Sequence, residues 1–319
     1  MNHLSTDAAS TSDQSASDQP LNSQPVIALN NVCKQFGSLN VLSGLSLQVN
    51  RGEVYGFLGR NGAGKSTAIK MMMGITKIGS GSIHLFGESI ESNVIEARQR
   101  IGYVAQEQHF YPWMTPKQLS KFVCGFYPKW DQTRFQSLIT LFELPMKRKI
   151  GNFSGGMKAK LALSMALATQ PECLILDEPT AGMDPVARRE FLDLVSEEAR
   201  RADATIFFST HLIDDIEAIA DRIGIVESGK TVYEGGLAPL SKSIATYSID
   251  ETLYRPGNIP GEFANGADHV LQSNARHGRH LLVLQFPYGA PQSPVLDYGW
   301  QQDDMSLEDV FIAVVARSD

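Results

Sequence analysis

The run Gly59-Arg60-Asn61-Gly62-Ala63-Gly64-Lys65-Ser66-Thr67 constrains what this chain can fold into more than any other segment. It fits the pattern G-x-x-x-x-G-K-[ST], in which glycines let backbone N–H groups close around a phosphate without side-chain obstruction. In that pattern Lys65 reaches the β- and γ-phosphates of a nucleoside triphosphate, and the Ser66 hydroxyl is placed to ligate Mg2+. The flanks agree with it. Val54-Tyr55-Gly56-Phe57-Leu58 is short and apolar, as a buried strand is, and Ala68-Ile69-Lys70-Met71-Met72-Met73 favours a helix. Such a helix points the partial positive charge of its N-terminus at the anion. A strand, a glycine-rich loop and a helix in this order predict an α/β fold built on a P-loop NTPase core.

The rest of the chain limits where that core can act. Its 319 residues leave room for one large domain or two, and 43% hydrophobic against 20% charged residues is the composition of a globular protein. A net charge of −7 argues against a general nucleic-acid binder, which carries a basic stripe. The three cysteines, Cys33, Cys124 and Cys173, are scattered without metal-ligand spacing, so we expect reduced packing residues and a cytoplasmic setting. No run approaches the ~18 apolar residues that span a bilayer. A role at a membrane therefore requires a separate chain.

Residues 1–24 are almost wholly Ser, Asp, Gln, Asn, Thr and Ala and read as a disordered tail. Short strands and turns follow from Pro25, predicting an N-terminal antiparallel β subdomain, with a strand near Ile83–Phe86. From about 97 to 168 the chain reads as a mainly helical subdomain. Cys173-Leu174-Ile175-Leu176 and Thr205-Ile206-Phe207-Phe208 are unbroken apolar runs, as parallel strands buried on both faces require. Glu227-Ser228-Gly229 reads as the turn of a hairpin. The main domain is expected over 25–236. Residues 237–319 read as a small α+β appendage with one clear strand, His280–Gln285, and a C-terminal helix in which Ser306 caps with Asp309 three positions on.

Leu174-Ile175-Leu176-Asp177-Glu178 is an apolar strand ending in two carboxylates. Open α/β sheets bind ligands at the carboxyl ends of their strands, so Asp177 is expected beside the phosphate loop as a Mg2+ partner. Glu178, one residue further, is the candidate to polarise the attacking water. Asn152-Phe153-Ser154-Gly155-Gly156-Met157-Lys158 is a second glycine-bearing turn at a helix start, and hence a second anion site. The order of these elements resembles the ATP-binding cassette family of transporter ATPases over about residues 26–236. The turn at 153–157 looks like the family's signature sequence, usually Leu-Ser-Gly-Gly-Gln. Gln106 matches its glutamine loop, Ala181-Gly182-Met183-Asp184 its D-loop, and His211 its switch histidine. Phe36 sits where the family stacks an aromatic on adenine. Met157, Phe153, Ala181 and Ala105 depart from the usual residues, and none removes a catalytic group.

The resemblance implies ATP and Mg2+ as cofactors, with Gln106 joining Ser66 and Asp177 around the metal. It implies that Glu178, His211, Gln106 and Lys65 act in hydrolysis. ATP would lie between Phe36 and residues 59–67 of one subunit and Ser154, Gly155, Gly156 and Asp184 of another, in a homodimer or a heterodimer with a second cassette. The expected partner is a membrane permease holding the protein at the inner face of the cell membrane, with export the expected direction. Tyr127-Pro128-Lys129-Trp130-Asp131, Gly155-Gly156-Met157-Lys158 and Ser306–Phe311 resemble export-type cassettes of the drug and antibiotic-peptide resistance kind. The aromatic stretch His109–Met114, with Phe122, Phe126, Tyr127 and Trp130, is either subdomain core or a groove for a permease helix. Relatives that act on DNA or ribosomes carry coiled-coil insertions or tandem cassettes; this chain has one phosphate loop, one signature and no heptad run. A small-molecule kinase would lack the Ser154 turn.

Overall fold

In the computed structural model the described residues are 24–202, 204–255, 269–276, 279–286, 290 and 300–316. The expected tail lies outside them except for its last residue. The centre is a six-stranded sheet. Its parallel members, in spatial order, are Arg222–Glu227, Val54–Gly59, Thr205–Thr210, Cys173–Asp177 and Ile101–Val104, and Lys230–Gly236 closes one edge antiparallel to Arg222–Glu227. The strands Val54–Gly59, Cys173–Asp177 and Thr205–Thr210 are buried at every position, which explains why they read as unbroken apolar runs.

Strand alternation divides the core in two. Leu174, Leu176, Ile206 and Phe208 face one cluster, which holds Leu161 and Leu163 of the helix Gly155–Ala168 and Phe191 of the helix Pro185–Ala202. Cys173, Ile175 and Phe207 face the other, with Ile69 and Met72 of the helix Lys65–Met72 and the antiparallel sheet of Ile27–Phe36, Leu39–Val49, Ser80–Leu85 and Glu88–Ser89. The β subdomain is as expected. The hairpin turn places Ser228 and Gly229 at φ of +48° and +74°, the backbone of a two-residue turn that matches strand twist. Cys173 is buried, whereas Cys33 and Cys124 are half-buried; all three are free thiols.

Two expectations need correction. The helical region does not begin near 97: Ile101–Val104 is the outermost parallel strand of the main sheet, paired with Cys173–Asp177. Helical packing starts at Pro116–Val123, whose Thr115–Gln118 capping box sets its first turn, and continues through Gln132–Leu141 and Gly155–Ala168. The appendage is also more β-rich than its sequence suggests. Ile244–Asp250, His269–Arg276, Arg279–Gln285 and Gln301–Asp303 form an antiparallel sheet. Ser306 and Asp309 do exchange hydrogen bonds at the start of the helix Leu307–Ala316.

This appendage shares its core with the main domain. Leu240, Ile244, Val283, Leu307 and Val310 belong to the same apolar cluster as Ile216, Ile223 and Ile225. Leu240 is 1% exposed, so Leu240→Ala is expected to cost about 2–5 kcal/mol. In chemical denaturation both parts should be destabilised together. Two separate transitions, of which only one shifts, would contradict a continuous core.

Candidate active site

Strand register assembles the site. Leu58 pairs with Thr210, Asp177 with Ser209, and Val104 with Leu176. The phosphate loop, the two carboxylates, the residues leading to His211 and the segment reaching Gln106 therefore leave the sheet at one level. At the loop, Gly64 caps the helix Lys65–Met72 in a left-handed conformation, φ +103°. A Cβ there would lie 2.5 Å from Leu42 Cδ2 and 2.9 Å from the Val41 carbonyl, so close strand packing and backbone angle together require glycine. Gly62 is also left-handed, at +87°.

Lys65 is buried. Its Nζ donates to the carbonyl oxygens of Gly59 (2.7 Å) and Arg60 (3.2 Å) and stands 3.1 Å from Glu178 Oε1. The other Glu178 oxygen, Oε2, receives Gln106 Nε2 at 3.4 Å and His211 Nδ1 at 3.2 Å. One carboxylate thus gathers three of the residues expected to act in hydrolysis. Its backbone is held at φ +44°, a conformation uncommon outside glycine. The Glu178 N–H donates to both the carbonyl and the hydroxyl oxygen of Ser209, at 3.1 and 3.0 Å, and so fixes that turn.

Asp177 lies beside it, 1% exposed. Its Oδ1 accepts from Ser66 Oγ (3.0 Å) and Ser209 Oγ (2.8 Å). Burial raises its pKa from the ordinary aspartate value, against the lowering effect of the two hydroxyl donors, and Glu178 adds to the rise. Burial, with the Asp177 charge as a second cause, pushes the neighbouring Tyr103 phenol up to about 12. Ser209 was not singled out from sequence. Its signal is the polar ending Ser209-Thr210 on an otherwise apolar strand.

The remaining expected residues stand apart from this cluster. Ser154 caps its helix by accepting from the Met157 N–H at 3.2 Å. Ser154 and Gly155 are exposed, and an added Cβ at Gly155 or Gly156 would meet nothing within 4 Å. Phe153 is buried in the helical core and Met157 packs against it, so both departures from the usual signature serve packing. The Asp184 carboxylate is used as a cap for the helix Pro185–Ala202, accepting from the N–H groups of Val186 and Ala187. The Ala187 bond is the first cause of its lowered pKa. Phe36 is half-exposed at the end of its strand, with Lys34 Nζ 5.0 Å above its ring. Arg60 and Asn61 are exposed on the loop, with Ala63 buried and Thr67 half-buried.

Residues 42–181, which span the loop, Gln106, the Ser154 turn and both carboxylates, match the ABC transporter family. Over 304 residues the chain is 38% identical to the Nod factor export ATP-binding protein I of Burkholderia lata, covering 91% of this chain and 97% of that one. The chain belongs to the ABC transporter ATP-binding family. It is also 37% identical over 212 residues to the bacitracin transport ATP-binding protein BcrA of Bacillus licheniformis, 66% of this chain and 69% of that protein. A solved ATP-binding subunit of an ABC transporter superposes with a TM-score of 0.62 at 26% identity, covering 67% of this chain and 91% of that one. This ABC subunit is an ATPase.

Two outcomes follow from the geometry. Glu178→Gln keeps the side chain's shape but removes a base, so it should bind ATP normally and hydrolyse it roughly tenfold or more slowly; an unchanged turnover number would contradict this role. Because the folded pKa of Asp177 is raised, the folded chain holds that proton more firmly than the unfolded one. Stability from this group is therefore lost as pH rises through the carboxylate range. Without nucleotide at neutral pH, Asp177→Asn should raise the Tm; a fall would show that ionised Asp177 stabilises the fold.

Proposed function

We propose that this ATPase drives export through a separate membrane permease, with ATP held between its phosphate loop and the Ser154 turn of a second cassette, identical or related. The observation that carries the two-cassette reading is the contrast between the two anion-binding helix starts. Lys65 is buried against Glu178, whereas the Ser154 turn is exposed and open to a docking partner. A γ-phosphate attracts both N-termini, each such interaction contributing about 0.3–1 kcal/mol at a surface and more when partly buried. ATP thereby acts as the bridge.

The residues divide the work. Triphosphate oxygens compete with Glu178 for Lys65 and so release the carboxylate. Glu178 then orients the attacking water and accepts its proton, while His211 and Gln106, already on Oε2, fix its direction and bound the site. Ser66, Asp177 and Gln106 offer oxygen donors suited to Mg2+, which when bound neutralises charge on the phosphates. Among the described residues no cluster of three or more His, Cys, Asp or Glu forms an all-protein metal cage. That fits magnesium, which is commonly held by one or two protein oxygens together with substrate phosphates.

The aromatic stretch divides into two roles. Phe110, Met114 and Trp130 pack against the helical core. Tyr111, Trp113, Phe122 and Phe126 are exposed, and Tyr111 meets Trp113 and Phe122, which in turn meets Phe126, with ring centroids 5.2 to 6.2 Å apart. Tyr111 and Phe122 line a groove together with Tyr103, His109, Leu119 and Met165, the concave apolar surface that an amphipathic helix needs. Among the described residues no helix is long and apolar enough to cross a membrane, and this groove is where we place the permease contact, at the inner face of the membrane. The similarity to a Nod factor export subunit favours outward transport. Alanine at both Tyr111 and Trp113 should abolish co-purification with the cognate permease and cut permease-stimulated ATPase at least about fivefold. Retained assembly and stimulation would contradict the docking role.

A further inference from the structure

Asp215 is a fully buried carboxylate that the hydrolysis scheme does not use. It is 1% exposed, in the first turn of the helix Ile213–Ile219, four residues after His211. Its Oδ2 accepts from Thr180 Oγ1 at 2.8 Å and Thr210 Oγ1 at 3.1 Å. Its Oδ1 accepts from Arg188 Nε at 2.6 Å. Arg188 Nη2 also lies 3.7 Å from the exposed Asp214. The buried carboxylate is thus satisfied by one guanidinium and two hydroxyl donors.

What matters is where the three donors come from. Thr210 immediately precedes His211, and its hydroxyl also accepts from the Leu212 N–H at 3.0 Å, so it braces both sides of the histidine. Thr180 lies two residues after Glu178, in the turn where the Ala181 N–H returns to the Glu178 carbonyl at 3.1 Å. Arg188 belongs to the helix that Asp184 caps, and its own N–H returns to the Asp184 carbonyl at 2.9 Å. One carboxylate therefore joins the base turn, the histidine turn and the 181–184 loop, although none of its bonds goes to Lys65, Glu178 or His211.

We propose that Asp215 is a positioning residue for ATP hydrolysis, locking the Glu178 turn, the His211 turn and the Asp184 loop into one rigid unit. The 3.2 Å approach of His211 Nδ1 to Glu178 Oε2 joins side chains from two different loops, and Asp215 fixes the separation of those loops from below. Displacement at the Asp184 loop, which borders the proposed second cassette, is carried through Arg188 and Asp215 to the histidine. This last step rests on the two-cassette reading; the positioning role does not.

The test uses the full chain and reads kcat, KM and ATP affinity separately. Asp215→Ala and the milder, near-isosteric Thr210→Val are both needed, since loss of a buried carboxylate can impair folding. Rates are taken per nucleotide-binding site, titrated with a fluorescent ATP analogue, so that a loss of folded protein does not count. We expect kcat per site to fall about tenfold or more for Asp215→Ala and about threefold or more for Thr210→Val, with ATP affinity within about twofold of the parent. Adding Thr210→Val to Asp215→Ala should cost less than the product of the two single losses, because the Thr210–Asp215 bond is already gone and only the Leu212 bond remains to be lost. A parent-like kcat per site in both variants, or multiplicative losses in the double variant, would overturn the proposal. Those results would leave the Glu178 assignment standing, because Glu178→Gln tests it independently.

Discussion

The parallel register of the central strands is the constraint on which the rest of the molecule depends. Phosphate loop, carboxylates and histidine lie far apart in sequence and converge because Leu58 is level with Thr210, Asp177 with Ser209, and Val104 with Leu176. A slip of one residue in any pair would turn a strand's side chains to the wrong face and misplace its catalytic terminus. The apolar clusters on the two faces hold that register. Strand burial, which looks like a matter of stability alone, is what makes the chemistry possible.

The charges that gather at the strand ends are unevenly balanced. Lys65 and Glu178 form a buried pair, and Asp177 sits beside them with only hydroxyl donors. Removing one member of a buried pair strands the other, so the cluster is tuned for exchange of partners. On the function proposed above, a polyanionic substrate would take the lysine, a hard cation would suit the second carboxylate, and Glu178 would be left with Gln106 and His211. Beneath this exchangeable layer lies the fixed one of Asp215, Arg188, Thr180 and Thr210, whose bonds involve no catalytic group.

Much of this was legible in the sequence, because phosphate, metal and water each demand particular residue types at fixed spacing. Lys65, Ser66, Asp177 and Glu178 could be expected from residue type and spacing, Gln106 and His211 from the family resemblance, and the structure brings the six side by side. Asp215 could not. Beside Asp214 in a helix's first turn, it reads as an ordinary solvent-facing charge that complements the helix dipole. Two of its three side-chain partners, Thr180 and Arg188, come from distant parts of the chain. Ile101–Val104 was hidden for a similar reason, since four residues are too few to establish a period. In the appendage, Ile244 and Tyr247 point to opposite faces yet are both buried, so the strand shows no polar alternation. The shared core around Leu240 involves contacts that sequence patterning does not encode.

The Ser154 turn is exposed, and in the function proposed above it completes the nucleotide site of a second copy or a related cassette. The most direct measurement of that pairing is analytical ultracentrifugation of purified Glu178→Gln protein, with the cognate permease complex run in parallel. With ATP and Mg2+ the account predicts a dimer of cassettes that returns to monomer when ADP replaces ATP. Protein that binds ATP yet sediments as a monomer, with its cassettes unassociated in the permease complex as well, would contradict it.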